Sequence, residues 1–436
     1  MFLYYLKLAR ISIIKHWGMS ALMIVAIALG IGASMTTVTV TYLMSANPIP
    51  HKSDNLYYVQ LDSWDVNNPA NDDGTPPDQV TYRDGLYLFM QQKAYRQSIQ
   101  AQANAVIEPE GKDALPFQVS ARANSADFFS MFDVPFIYGS GWDHQADISK
   151  EQVVVLSRET NDRVFGGENS VGRSIKVAGN FFKVVGVIDT WQPVPRFYDI
   201  TTGAFNESEE IFVPFSMIAE EKIGRSGNTN CWKNVGDGFQ AFLDSECVWL
   251  QFWVELNNEQ EKQEYQSFLN AYVEQQKSFG RFERPLNNRL SNVMEWLEQR
   301  QVVADDALMM TAMSLMFLIV CLLNTVGLLL AKFLSKSSEI GLRQALGASR
   351  RTLFAQYLVE SGCIGLAGGL LGLFFAWLGL KGIDVLYGDM LRNLTSLDTT
   401  MVVAAISLAI VTSLLAGLYP TWRACNVQPS TQLKAQ

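Results

Sequence analysis

The stretch ALMMTAMSLMFLIVCLLNTVGLLLA, Ala307–Ala331, runs without a single charge. A helix crosses the roughly 30 Å hydrocarbon core of a bilayer in about 20 residues, so this stretch is long enough to span it. Trp17–Pro50 and Thr399–Trp422 are equally free of charge, and Leu353–Leu380 contains only Glu360. The expected fold is a membrane protein with four transmembrane α-helices in a one-plus-three layout. A large α/β domain is expected between the first and second. The boundaries read as spans at 17–46, 305–332, 353–380 and 399–420, with a periplasmic domain at 47–304. Around them lie an N-terminal arm at 1–16, a short loop at 333–352, a periplasmic loop at 381–398 and a tail at 421–436.

Lys and Arg set the orientation. The arm holds Lys7, Arg10 and Lys15, the short loop holds Lys332, Lys336, Arg343, Arg350 and Arg351 against Glu339, and the tail holds Arg423 and Lys434. With four crossings these segments share one side, which the positive-inside bias makes cytoplasmic. The insert from Leu43 to Ala307 carries 22 Lys and Arg against 38 Asp and Glu, a net −16, which leaves +7 for the rest of the chain. Both termini are therefore expected in the cytoplasm, with the acidic domain facing the periplasm or the cell exterior. Gly18–Met44 is too long for the apolar region of a cleaved signal peptide, about 7–15 residues, so it is expected to stay as an anchor. The arm from Phe2 to His16 fits a basic interfacial helix or a simple extension of the first span.

Inside the insert the pattern is α/β. Val153–Leu156 is a β-branched strand, Ser157 caps a helix through Phe165, and Gly166-Gly167 stops it. Ser174–Val177 and Phe181–Ile188 flank the turn Ala178-Gly179-Asn180. Ser125 is placed to cap a short helix through Phe132, and Gln260–Gly280 suits a longer amphipathic one. The region 190–244 lacks clear period and fits either a second lobe or long loops. Cys231 and Cys247 are the insert's two cysteines, and an oxidising compartment would let them pair. Cys321 and Cys363 fall in spans and suit packing.

Chemistry is not visible. There is no G-x-x-x-x-G-K-[ST] phosphate loop. His16, His51 and His144 are scattered without metal spacing. The acids Glu207, Glu209 and Glu210 fit a solvated face. No catalytic residue, bound cofactor or metal is expected, and no nucleic-acid partner.

The most informative short segment is the loop Ser335–Arg351. Ser338 is placed to cap a helix through Leu346, with Glu339 in its first turn and Gly347 at its end. Ile340, Leu342 and Leu346 give it an apolar side, and Ser349 starts the next helix. A stiff two-turn helix joined to two membrane helices fits a lever or an ordinary interfacial linker. The run Ser338, Glu339, Ile340, Gly341, Leu342, Arg343, Gln344, Ala345, Leu346, Gly347, followed by a Glu and a Gly-rich helix, strongly resembles the FtsX/MacB-type permease domain of ABC transporters. Gly417–Ala424, then Pro429 and Leu433, is similar to that domain's C-terminal signature. Ser125–Phe132 with Gly139, then Val153–Ser157, Phe165–Gly167 and Val184–Ile188, is similar to the MacB-type periplasmic domain.

That resemblance implies a permease that pairs with a separate cytoplasmic ATPase subunit, which holds ATP and Mg, and that works beside a second permease copy, identical or paralogous. It implies mechanotransmission, in which ATP hydrolysis below the bilayer drives the periplasmic domain above it and so export, with a periplasmic adaptor and outer-membrane channel as further partners. It makes Glu339–Gly347 the coupling helix. The alternative is an FtsX-like regulator that activates a periplasmic partner such as a cell-wall hydrolase. In the third span Gly362, Gly365, Gly368, Gly369 and Gly372 form G-x-x-x-G pairs that suit close helix packing, within one subunit or between two. Ala26, Gly30 and Ala33 offer a similar face in the first. Glu360 is expected either to snorkel to the cytoplasmic interface or to form an ion pair. Asn324 is expected to hydrogen-bond another helix.

Overall fold

The computed structural model describes residues 2–109, 115–303, 305–387 and 399–425. The chain divides into two compact units, Ala46–Val302 and the two flanking parts together. The expected 381–398 loop beyond residue 387, and the tail beyond residue 425, lie outside the described residues.

The flanking unit is helical: α1 (Phe2–Lys15), α2 (Trp17–Met44) and, after the insert, α11 (Asp305–Leu334), α12 (Ser337–Ala345), α13 (Arg350–Tyr387) and α14 (Thr399–Cys425). Among the described residues three helices are long and apolar enough to cross a membrane: Trp17–Met44, Ala307–Leu334 and Arg350–Ile383. Helix α2 is the hub. Cβ atoms added at Gly368 and Gly372 would meet Ile27 at 2.8 Å and Ile31 at 3.0 Å, so α13 approaches α2 as closely as small residues permit. On its other side Gly30 faces Leu318 and Cys321 of α11. A hydroxyl ladder runs along the same seam. Ser34 donates to the Ser314 carbonyl at 2.8 Å, Thr37 to the Ser314 hydroxyl at 2.6 Å, and Thr41 pairs with Thr311 at 2.8 Å. The expected Ala26, Gly30, Ala33 face is not one surface, because Gly30 is buried and Ala33 exposed. Small residues buried along α2 include Ala28, Gly30, Gly32 and Ser34.

The insert carries β1 (Leu56–Gln60), β2 (Val80–Thr81), α3 (Tyr82–Gln91), β3 (Arg96–Glu108), β4 (Phe117–Asn124), α4 (Asp127–Met131), β5 (Phe136–Gly139), α5 (His144–Ser149), β6 (Val153–Leu156), α6 (Arg158–Phe165), β7 (Ser174–Val177) and β8 (Asn180–Ile188). Then follow β9 (Ile211–Pro214), α7 (Ser216–Ala219), β10 (Gly224–Arg225), α8 (Phe239–Leu243), β11 (Val248–Glu255), α9 (Glu259–Lys277), β12 (Arg289–Asn292) and α10 (Val293–Gln299). The strands make one mixed sheet in the order β12-β1-β11-β3-β4-β9-β6-β8-β5. Its parallel pairs are β4 with β9 and β6 with β8. The long strand β3 pairs with β4, β7, β10 and β11, so it joins the two halves of the domain. Period-2 alternation sends Tyr57, Val59, Leu250, Phe252 and Val254 into one core and Leu56, Tyr58 and Trp253 into the other. The second core is aromatic, with Tyr58 stacked on Trp296 at 4.0 Å.

Ser157 accepts from Thr160 N and Gly166 takes a left-handed φ of 69°, as a capped and stopped helix requires. Ser125 does not cap α4. Its hydroxyl donates to the Gln97 carbonyl, the N-cap position is Ala126, and only the Ser125 carbonyl serves the helix start. Helix α9 begins one residue earlier than expected and ends three earlier, with Asn258 as the cap. Cys231 and Cys247 are joined by a disulfide.

Of the three acids expected on a solvated face, Glu207 is exposed but Glu209 and Glu210 are drawn inward. Glu209 is buried, and Glu210 accepts from Ser120 N at 2.7 Å. The guanidinium of Arg122, fully buried, donates to Glu209 and to Asp199 at 2.6 Å. Arg196 reaches Glu209 at 3.1 Å, and the Tyr198 hydroxyl donates to it at 2.9 Å. Burial pushes the Asp199 carboxyl up, but Arg122 and Arg196 outweigh it and hold it below the usual carboxylate range. This cluster fixes the segment 196–209 on the sheet. Removing one partner of a buried charge cluster costs about 3–5 kcal/mol, so Glu209→Ala is expected to lower domain stability by about that much, read by denaturant unfolding of the full chain.

Asp147 shows the opposite balance. Burial raises its carboxyl to about 6, although Ala126 N at 2.8 Å and Trp142 Nε1 at 2.9 Å donate to it. The unfolded chain releases this proton near pH 4, so between about pH 4 and 6 the folded state binds more protons and Asp147's contribution falls as pH rises. Relative to Asp147→Asn, the wild type is expected to lose up to about 3 kcal/mol between pH 4 and 7, measured as the difference in unfolding free energy.

Candidate functional site

Helix α12 and its surroundings are the best-built candidate site. Its N-cap position is Lys336, so Ser338 lies inside the first turn and is not the cap. Glu339 pairs with Arg343 at 2.6 Å, four residues on, which stabilises a short helix along its exposed side. Gly347 takes a φ of 98°, and Ala348 N donates to the Arg343 carbonyl, which ends the helix in a left-handed turn. Thr352 N donates to Ser349 Oγ at 3.2 Å as α13 begins.

The apolar residues of this helix do not share one side. Ile340 is buried in a cluster with Phe333, Leu353, Tyr357 and Cys425. Leu342 is 61% exposed and Leu346 is 80% exposed. Polar ties hold the inner side: Arg343 donates to Gln356 of α13 at 3.2 Å, and Gln344 donates to the Cys425 carbonyl of α14 at 3.2 Å. Gly341 is half-buried, and Ala345 is the last helical residue. The sequence pattern predicts the helix but not that it turns two leucines outward.

Behind it lies a buried charge cluster. Glu360 of α13 is 1% exposed and accepts from Lys332 of α11 at 2.8 Å. Lys336, at the N-cap of α12, lies 3.6 Å from the same carboxylate. Ser12 of α1 bonds both Glu360 and Lys336, and Lys332 also donates to Ser20 of α2 at 3.0 Å. Glu360 therefore does not snorkel. Lys332 is no loop cation either, since it is buried within α11 and neutralised there. No single-helix pattern links Lys332 with Glu360, Ser12 and Ser20, so the sequence by itself does not distinguish the ion pair from snorkelling.

The glycine series of α13 splits by partner. Gly368 and Gly372 face α2, Gly362 faces Leu414 of α14, and Gly365 and Gly369 are buried. Asn324 does not make the expected interhelical bond. It is exposed on α11 and, among the described residues, makes no hydrogen bond. It lies beside Ala26, Leu323 and Gly327 in a shallow groove.

Two family models match the chain. Residues 20–269 match the MacB-like periplasmic core domain, and residues 311–429 match the FtsX-like permease C-terminal domain. The chain belongs to the MacB/FtsX-type ABC transporter permeases. Among curated relatives it is 24% identical over 313 residues to the pyoverdine export ATP-binding/permease protein PvdT of Pseudomonas aeruginosa, covering 72% of this chain and 42% of that one. It is 22% identical over 340 residues to the macrolide export ATP-binding/permease protein MacB of Syntrophobacter fumaroxidans, covering 70% and 46%. The chain thus spans less than half the length of these relatives. Among solved structures, the periplasmic region of MacB from Actinobacillus actinomycetemcomitans aligns with a TM-score of 0.37 and 14% identity over 59% of this chain and 96% of that one. As a member of this family the chain is a multi-pass, permease-type protein of the inner membrane carrying a periplasmic-type domain.

The charge cluster makes a direct prediction. Glu360→Ala leaves Lys332 buried without a counter-charge and is expected to cost about 3–5 kcal/mol. The double variant Glu360→Met with Lys332→Met is expected to recover most of that loss, measured by thermal unfolding of the purified full chain.

Proposed function

We propose that this chain is the membrane subunit of a mechanotransmission exporter, driven by an ATPase on a separate polypeptide that docks on α12. The observation that carries this reading is the pair Leu342 and Leu346, exposed on a helix whose other side is fixed to α13 and α14. A partner drives a membrane domain only if it binds that domain's two arrangements with different affinity. A helix free at its outer side and tied at its inner side meets that need. Arg350 and Arg351, also exposed, extend the surface with positive charge. Neither ATP nor Mg is bound by this chain in the proposed scheme, and both belong to the partner.

The remaining topology follows the same reading. Helix α14 serves as the fourth crossing, the termini and α12 lie in the cytoplasm, and the acidic insert faces the periplasm. The net +7 outside the insert supports that orientation. A second permease copy, identical or paralogous, is proposed to cover the groove at Asn324, since an amide facing hydrocarbon gains by finding a partner there. The two curated relatives are named as exporters, which favours export over activation of a periplasmic hydrolase.

Leu342→Asp with Leu346→Asp is expected to weaken association with the partner ATPase by about a thousandfold, since apolar anchors at an interface centre are worth about 2 kcal/mol each. Thermal stability of the isolated chain is expected to stay unchanged, because both side chains are exposed. Co-purification and coupled ATPase rates check this. Normal coupling in the double variant would remove α12 from the drive path.

A further inference from the structure

The periplasmic-type domain contains a cavity of about 630 Å³ that plays no part in the scheme above. That volume lies within the range of roughly 300–1,000 Å³ usual for small-molecule pockets. Helix α3 supplies one wall with Tyr82, Phe89 and Met90, and α5 supplies a second with Asp147 and Ile148. The third comes from Phe215 and Ser216 at the start of α7. These helices belong to segments far apart in sequence, and they surround an open space in a domain whose two cores are otherwise closely packed.

The polar groups in the cavity are few and specific. Ser216 Oγ is buried and has no hydrogen-bond partner. The Tyr82 hydroxyl makes none among the described residues, while its ring stacks against Phe215 at 6.1 Å and Trp249 at 6.2 Å. A buried hydroxyl such as that of Ser216 normally finds a partner, and that of half-buried Tyr82 is open to one. By contrast, Ser125 and Lys150 at the same cavity are already engaged, with the Gln97 carbonyl and with Glu220 at 2.8 Å. Two uncommitted hydroxyls between aromatic and aliphatic walls suit a ligand with an apolar body and a hydrogen-bonding end. Met90 and Ile148, 68% and 74% exposed, form an apolar rim that would receive such a body from water.

We infer that this cavity binds a small amphipathic molecule. Its apolar body lies between Phe89, Phe215 and Ile148, and its polar end meets Tyr82 and Ser216. The site stands or falls independently of any ATPase partner.

The test uses the full chain in lipid nanodiscs and hydrogen–deuterium exchange, with N-phenyl-1-naphthylamine as the probe. Peptides covering 82–92, 144–150 and 215–219 are expected to gain protection on adding probe, whereas the spans are not. Ala219→Trp, which fills the cavity, and Met90→Trp, which obstructs its exposed rim and leaves the cores untouched, are each expected to weaken that protection at least about tenfold in apparent affinity. Tyr82→Phe with Ser216→Ala is expected to weaken it by a smaller factor while leaving exchange of the probe-free chain unchanged. No protection at saturating probe, or equal protection in wild type and Met90→Trp, would overturn the assignment.

Discussion

A charge inside a bundle of membrane helices has to be met by another charge, and Glu360 is where this chain satisfies that requirement. Hydrocarbon offers neither water nor a high dielectric, so an unpaired carboxylate there is costly. The chain answers with Lys332 and Lys336, and with Ser12 at the same site. The consequence is mechanical. One carboxylate ties α13 to α11, Ser12 brings in α1, and Lys336 is the residue from which α12 starts. Helices that could otherwise slide past each other on small-residue seams share a fixed point at the root of the outward-facing helix.

The rest of the membrane unit is built for close approach. Gly368 and Gly372 bring α13 onto α2, and the Ser34, Thr37 and Thr41 hydroxyls bind α2 to α11. Neither seam depends on apolar burial, which is weak between helices in lipid. The insert solves a related problem with water at its surface. Its Arg122, Asp199, Arg196 and Glu209 cluster is buried and charge-paired, with Arg196 Nε alone left without a partner among the described residues, and it gives shape to a segment that has little regular secondary structure of its own. In both units a polar cluster fixes geometry where apolar packing alone would leave alternatives.

Much of this was legible in the sequence. The uncharged stretches are long, and their length alone points to spans. Ser157 and Gly166 mark their helix through local hydrogen bonding and a left-handed turn, and so their reading needs no tertiary information. The exceptions are residues whose role depends on distant partners. Ser125 has the composition of a cap, yet β3 presents the Gln97 carbonyl and takes its hydroxyl. Glu209 looks like one of several surface acids until Arg122, 87 positions earlier, is folded against it. Lys332 counts as a loop cation by position and is a buried ion by structure. Leu342 and Leu346 share an apolar pattern with Ile340, and only the packing of α12 shows that Ile340 faces in while they face out.

The proposed topology makes α12 reachable only from the cytoplasm and the acidic domain only from outside the cell. Two single-cysteine variants, Ser349→Cys and Phe279→Cys, with the three free cysteines Cys321, Cys363 and Cys425 replaced by serine, report on it directly. In right-side-out vesicles a membrane-impermeant maleimide should label Phe279→Cys at once and Ser349→Cys only after permeabilisation. Labelling of both sites from outside intact vesicles would contradict the account.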